Sequence, residues 1–198
     1  MLANPFESRA SDLRRSILIR VALVLAGSML MALSARISFN IVTTVLGTIP
    51  ITGQTLALPI VVALLGTRQS VFAMLAYLAE GALGLPVFAA SGHAGIAVLV
   101  GPTATTAGYL WAYPVAAWTI GTLYDHGFAG GYFRRWVAIF LGIGIVFAGG
   151  YAVLAALIGP GAAFTFGVAP FIAGDIAKVT IAAAARNSWP KLAAGLRL

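Results

Sequence analysis

The sequence contains no cysteine and few charged residues. Only 9% of its 198 residues are charged, and only 5 are Asp or Glu. The absence of cysteine excludes a disulfide framework, thiolate catalysis and cysteine-ligated metal sites, and it leaves the redox compartment undecided. Ordinary globular chains carry about 25% charged residues. This scarcity of charge excludes a water-soluble enzyme.

Apolar residues dominate instead. They make up 61% of the chain, against roughly 45 to 50% in an average globular protein. A soluble core of this size cannot bury so much apolar surface. The composition therefore predicts a polytopic membrane protein whose main solvent is the lipid bilayer.

Six apolar segments have the hydropathy of transmembrane helices. Such helices typically have about 17 to 25 residues, and only the second segment is shorter. They cover residues 17–35, 54–66, 69–85, 107–124, 136–158 and 168–185. The pattern predicts an all-α integral membrane protein with six transmembrane helices. Between the spans, the β-branched segment 37–52 predicts an extended or re-entrant loop, and the glycine-rich segment 86–106 predicts a structured loop or cap.

The basic residues predict the orientation of these spans. With six spans, the amino terminus, Arg68, Arg134, Arg135 and the carboxyl-terminal tail share one side, and cytoplasmic loops are enriched in Lys and Arg. We therefore predict a cytoplasmic amino-terminal segment 1–16, a transmembrane domain 17–186 and a cytoplasmic tail 187–198. The net charge of +7 is spread over short segments, so no nucleic-acid partner is predicted.

Asp175 and Lys178 are the ionisable residues of the sixth span. An ionised side chain near the bilayer centre costs on the order of 2.5 to 3.5 kcal/mol, so it needs a partner, a cavity or a function. A spacing of three places the two residues on one helical face, where they can neutralise each other. Two interpretations are open: a buried ion pair with a structural role, or the polar floor of an outward-facing ligand site.

Other polar residues fall near the outer ends of the spans. For Glu80 three alternatives are open: ligand binding, pairing with Arg36, or exposure to water. Gln54 and Tyr77 are candidates to line the same outward cavity, although a tyrosine in a span is also typical of the core or the membrane interface.

The sequence contains none of several motifs for catalysis. It has no GxxxxGK[ST] phosphate loop, no GxSxG elbow and no HExxH helix. His93 and His126 are predicted on opposite sides, so no metal site is expected. An enzyme is therefore not predicted.

Small residues line part of the first span. Ala22 and Ala26 are four residues apart, with Gly27 and Ser28 adjacent, and such a patch permits close helix contact in lipid. Internal packing and a partner subunit explain it equally well.

Four separated motifs are similar to those of one family. They are the segments 50–55 (PITGQT), 77–88 (YLAEGALGLPVF), 101–103 with 108–110 (GPT and GYL), and 170–178 (PFIAGDIAK). Together they resemble the BioY family of bacterial biotin transporters, in the expected order. One departure is that residues 104–107 separate GPT from GYL, where the family runs almost directly from one to the other.

The resemblance implies a six-helix substrate-capturing component of an energy-coupling factor transporter. Its ligand would be biotin, with no cofactor of its own. Its partners would be a transmembrane coupling subunit and two ATPase subunits, which alone use ATP. The expected location is the bacterial cytoplasmic (inner) membrane, with both termini cytoplasmic.

The resemblance also implies roles for individual residues. Asp175 would accept hydrogen bonds from the ureido nitrogens of biotin, and Lys178 would donate to a ligand oxygen. Gln54 and Tyr77 would add polar contacts, with Glu80 as a further candidate, while Phe88 and Tyr109 would form an apolar wall. The segment 37–52 would close over the ligand, and Ala22 and Ala26 would contact the coupling subunit. Competing hypotheses are the same fold for another vitamin or precursor, an intramembrane enzyme using Asp175 as a base, and a structural subunit without a ligand.

Overall fold

The computed structural model describes residues 5–44, 47–89 and 95–185. Within these residues the chain is mostly helical, with one β-hairpin. The helices are α1 (Pro5–Arg36), α2 (Gln54–Ala82), α3 (Ala107–Asp125), α4 (Tyr132–Ile158), α5 (Pro160–Gly167) and α6 (Ala169–Ala184). The strands are β1 (Ser38–Thr44) and β2 (Gly47–Thr52), and short 3₁₀ turns cover Gly95–Val98 and Phe128–Gly130.

Helix α2 reverses its direction at Gly66. This glycine has φ 75° and ψ 177°, which are not helical. A Cβ placed on Gly27 of α1 would lie 3.3 Å from Val61 and 2.9 Å from Ala73, on opposite sides of the break. The antiparallel arms of α2 correspond to the predicted second and third spans.

A hydrogen bond between the two ends of α2 supports the same conclusion. Gln54 Nε2 donates to the Tyr77 hydroxyl at 2.8 Å. In a straight helix these residues would be about 34 Å apart. The arms must therefore lie side by side.

The predicted membrane fold is confirmed. By length and composition, α1, α2 and α4 can each cross a membrane, and α5 with α6 forms a further span bent by 43°. That count treats α2 as one span, but the reversal at Gly66 divides it into two. Helix α3 packs against both α2 and α4. The bundle thus has six helical passes.

Two boundaries differ from the prediction. Helix α1 extends back to Pro5 rather than beginning at residue 17. The segment 159–167, which lies between the predicted spans 136–158 and 168–185, contains α5, because Pro160 has the fixed φ that suits the first turn of a helix. The predicted tail 187–198 lies outside the described residues.

The segment after α1 is extended, as predicted, and forms an antiparallel hairpin. Ser38 pairs with Thr52 and Thr44 with Gly47. The amide of Gly53 donates to the Ser34 carbonyl at 3.1 Å and to that of Ile37 at 2.9 Å, which fixes the hairpin to the end of α1. Ile49 of β2 is 2% exposed and belongs to a small core with Leu154, Ala163 and Phe171. The hairpin therefore covers one end of the bundle.

Helices α3 and α4 approach each other through glycines. A Cβ on Gly108 would overlap the carbonyl oxygen of Gly149, and a Cβ on Gly149 would lie 2.7 Å from the Gly108 carbonyl oxygen. In lipid, small residues permit this close backbone contact, which strengthens dispersion packing. The contact holds α3 against the helix that carries part of the cavity wall.

Candidate ligand-binding site

A cavity lies beneath the β-hairpin, between β2 and helices α2, α3, α4 and α6. The empty space of this cavity is about 620 Å³, including the solvent at its open side. The lining residues are Ile49, Pro50, Thr52, Gln54, Thr55, Phe88, Ala89, Val98, Thr106, Tyr109, Leu110, Tyr113, Val146, Phe147, Phe171, Asp175 and Lys178. Five predicted site residues are among them: Gln54, Phe88, Tyr109, Asp175 and Lys178.

Asp175 and Lys178 form an ion pair on the cavity side of α6. Lys178 Nζ lies 2.7 Å from Asp175 Oδ1. The same nitrogen donates to the Thr52 carbonyl at 2.7 Å and to Thr55 Oγ1 at 3.1 Å. An ammonium group has three N–H donors, and these contacts occupy all of them. Lys178 thus joins α6 to the end of β2 and to the start of α2.

Asp175 keeps one carboxylate oxygen available. The residue is 5% exposed, and its Oδ1 accepts from both Thr55 Oγ1 at 2.7 Å and Lys178. Among the residues that the structure describes, Oδ2 accepts no hydrogen bond. Buried polar groups are normally hydrogen-bonded, and a carboxylate acceptor bonds N–H donors strongly. The cavity floor can therefore accept an N–H group from a ligand.

Gln54 and Tyr77 belong to a chain of hydrogen bonds beside this floor. Thr52 Oγ1 donates to Gln54 Oε1 at 3.2 Å, Gln54 Nε2 donates to the Tyr77 hydroxyl at 2.8 Å, and that hydroxyl donates to the Val87 carbonyl at 3.3 Å. Gln54 lines the cavity, whereas Tyr77 is fully buried behind it and does not. Tyr77 therefore orients Gln54 rather than forming the wall itself.

Aromatic rings form the apolar walls. Phe88 meets Tyr77 edge to face at a centroid distance of 5.3 Å, and Phe147 lies 6.5 Å from Tyr109 and 6.2 Å from Phe171. Such edge-to-face pairs add about 0.5 to 1.5 kcal/mol beyond their buried area. The Tyr109 hydroxyl also donates to the Gly167 carbonyl at 2.7 Å, so it holds the junction of α5 and α6. The cavity thus combines a polar floor with preorganised rings.

Two aromatic wall residues, Phe147 and Phe171, were missed by sequence reasoning. Phe171 lies four residues before Asp175, so it shares the helical face of the ion pair, and this spacing was an available signal. Phe147 had no such signal, because its position depends on how α4 packs.

Glu80 does not line this cavity. Its Oε1 accepts a hydrogen bond from Ser28 Oγ at 2.8 Å, and Ser28 is buried. Arg36 instead donates to the Pro86 carbonyl. Glu80 therefore takes part in a contact between α1 and α2 while it stays partly exposed.

Ala22 and Ala26 are exposed on α1, while Gly27 and Ser28 are buried against α2. One side of this patch is therefore buried, because Gly27 allows α2 to approach, and the other side is exposed. The exposed alanines remain the predicted partner contact.

The loop that departs from the family pattern packs inward. Ala104 and Thr105 are 3% and 2% exposed, and α3 begins at Ala107. Tyr109 therefore reaches the cavity despite the extra residues. His93 lies outside the described residues.

Together, the fold and the cavity define a multi-pass membrane protein with a cavity at one end of a helical bundle. The site can accept a hydrogen bond on its floor and hold an apolar ring system between its walls. The chain belongs to the BioY family, whose sequence model matches residues 7–194.

Individual relatives agree with this membership. The chain is 33% identical over 162 residues to the probable biotin transporter BioY of Pyrococcus horikoshii, covering 82% of this chain and 90% of the relative. It is 36% identical over 141 residues to the biotin transporter BioY of Thermotoga maritima, covering 70% and 79% of the two chains.

The fold is similar to that of a solved structure. The S-component for biotin from an ECF-type ABC transporter, whose crystal structure is known at 2.1 Å, superposes with a TM-score of 0.61. The match covers 91% of each chain at 21% sequence identity. At this identity the likeness establishes the shared fold.

Proposed function

We propose that this protein is the membrane-embedded biotin-binding component of an energy-coupling factor transporter and serves biotin uptake. Its family membership and the names of its relatives support this function. These relatives are transporters, so the alternative of an intramembrane enzyme is set aside. The observation that carries the proposal is the open Oδ2 of buried Asp175 on the floor of an aromatic-walled cavity.

The chemistry of biotin matches this arrangement. Its ureido group presents two N–H donors and one carbonyl acceptor, and its fused rings are apolar. Asp175 Oδ2 accepts from a ureido N–H. Gln54 uses one of its two amide N–H groups on Tyr77 and offers the other to a ligand acceptor. The rings pack between Phe88, Tyr109 and Phe171.

All three N–H donors of Lys178 are already used within the protein. For Lys178 to contact a ligand oxygen directly, that oxygen must replace one of its present acceptors. The Thr52 carbonyl is the acceptor at the end of the covering hairpin. Exchange of this contact would couple ligand entry to movement of the β1–β2 hairpin, which we propose as the cover of the site.

The remaining assignments concern the assembly. We propose that a transmembrane coupling subunit contacts Ala22 and Ala26, and that two ATPase subunits supply the energy, so that this chain needs no cofactor of its own. We also propose that the chain lies in the bacterial cytoplasmic membrane with both termini in the cytoplasm, and that residues 17–186 form its transmembrane domain. The distribution of Lys and Arg supports this orientation.

A titration of the purified protein with radiolabelled biotin tests the function. Wild type should bind saturably, with displacement by unlabelled biotin. Asp175→Asn should weaken binding by about 10- to 100-fold, because a hydrogen bond to a charged group contributes about 1.5 to 3 kcal/mol.

Asp125→Asn is the matched control. Asp125 is at the end of α3, accepts from Thr67 Oγ1 and does not line the cavity, so biotin binding should be unchanged. Failure of wild type to bind biotin, or tighter binding of another vitamin, would exclude this function. An equal loss in both variants would exclude the site.

A further inference from the structure

A second cavity lies on the surface of the bundle. It is a groove between α1 and the second arm of α2, with a volume of about 1690 Å³ including its open side. None of its lining residues is shared with the first cavity. It therefore forms an independent surface feature.

One end of this groove is basic. Arg20 from α1 and Arg68 from the start of the second α2 arm line it, together with Asp125. The Asp125 carboxylate accepts from Thr67 Oγ1 at 2.6 Å. Both arginines are exposed, whereas the aspartate already accepts this hydrogen bond. The basic end thus favours an anionic group.

The rest of the groove is apolar and exposed. Val21 and Leu25 on α1 are 50% and 52% exposed, and Phe72 and Leu75 on α2 are 57% and 44% exposed. The wall continues to Ala79. An occupant must therefore be apolar along its length and anionic at one end.

The dimensions of the groove match one leaflet of a bilayer. Eleven residue steps separate Arg68 from Ala79, a rise of about 16 Å along the helix. Half of the hydrocarbon core is about 15 Å thick. The arginines therefore lie about one acyl-chain length from the far end of the groove, at the depth of a headgroup.

We propose that this groove is a binding site for an anionic phospholipid. The lipid phosphate is held by Arg20 and Arg68, and one acyl chain lies along Phe72, Leu75 and Ala79. Guanidinium groups bind phosphate oxygens in a bidentate manner, and basic pockets between transmembrane helices bind anionic headgroups. This site is separate from ligand capture.

Native mass spectrometry of the detergent-purified protein tests the proposal, with phosphatidylglycerol and phosphatidylcholine as competing probes. Wild type should retain phosphatidylglycerol preferentially. Arg68→Gln should lower that preference about fivefold, because each basic residue near an anionic lipid surface contributes on the order of 1 kcal/mol. Arg134→Gln is the matched control, since Arg134 is exposed at the start of α4 and lies outside the groove.

A second variant tests the apolar wall without changing any charge. Ala79→Trp fills the far end of the groove and should reduce phosphatidylglycerol retention, while biotin binding stays at the wild-type level. Equal retention of the two lipids by wild type would overturn the proposal, as would equal losses in Arg68→Gln and Arg134→Gln. Retention of a protein partner in place of lipid at this face would overturn it as well.

Discussion

Replacing Lys178 by methionine removes the charge that neutralises Asp175 while keeping a long apolar stem. The Asp175 side chain is 6% exposed and that of Lys178 is 19% exposed. Breaking a buried pair by removing one partner typically costs 3 to 5 kcal/mol, because the remaining charge is stranded. The partial exposure of Lys178 favours the lower end, so we expect Lys178→Met to lower the free energy of unfolding by about 3 kcal/mol.

The same substitution should also weaken biotin binding. We expect a loss of at least about 2 kcal/mol, or roughly 30-fold in Kd. The Thr52 carbonyl and Thr55 hydroxyl lose their common donor, so the cavity floor loses its fixed geometry. Unfolding in detergent and a biotin titration measure the two effects separately.

The double variant Lys178→Met with Asp175→Asn separates folding from binding. It leaves no buried charge, so most of the lost stability should return. Binding should remain weak, because the carboxylate acceptor is missing. Wild-type stability in the single variant would refute the reasoning about the ion pair. Recovery of full affinity in the double variant would refute the assignment of Asp175 as ligand acceptor.

Three further substitutions test the fold and the cavity walls by thermal or chemical unfolding in detergent. Gly108→Val should lower the free energy of unfolding by about 3 kcal/mol, since its side chain would meet the backbone of α4. Gly144→Ala should be tolerated, because nothing lies near its added Cβ. Similar stabilities of the two variants would contradict the close approach of α3 and α4. Tyr77→Phe should lower the free energy of unfolding by about 1 to 3 kcal/mol, because it leaves Gln54 and the Val87 carbonyl without a hydrogen-bond partner. Tyr132→Phe, at an exposed position, should lower it little. Unchanged stability of Tyr77→Phe would contradict the chain of hydrogen bonds. Phe171→Ala should lower the free energy of unfolding by about 3 kcal/mol and weaken biotin binding. Phe133→Ala should do neither, because Phe133 is 72% exposed. Equal effects of the two substitutions would argue against Phe171 as part of the cavity wall.

The apolar segments, and the glycine and arginine residues between them, predicted the helical bundle well. The apolar runs correspond to the helices, and Gly66 with Arg68 correctly marked the reversal between two spans. A left-handed φ at Gly66 is readily adopted by glycine, so this turn is encoded locally. The β-branched segment 37–52 likewise predicted extended backbone, although its pairing register depends on packing against α4, α5 and α6.

The ion pair was predictable because its spacing is local. The contacts that complete the floor join residues distant in sequence: Thr55 and Asp175 are 120 positions apart, and Thr52 and Lys178 are 126 apart. No helical periodicity encodes such pairs. For the same reason the contact of Glu80 with Ser28 was missed, since it depends on how α1 packs against α2.

The most direct test of the central claim is an experimental structure of the protein with bound biotin. The account predicts biotin beneath the β1–β2 hairpin, with a ureido nitrogen about 3 Å from Asp175 Oδ2 and the fused rings between Phe88, Tyr109 and Phe171. Biotin bound elsewhere, or an Asp175 side chain directed into lipid, would contradict it.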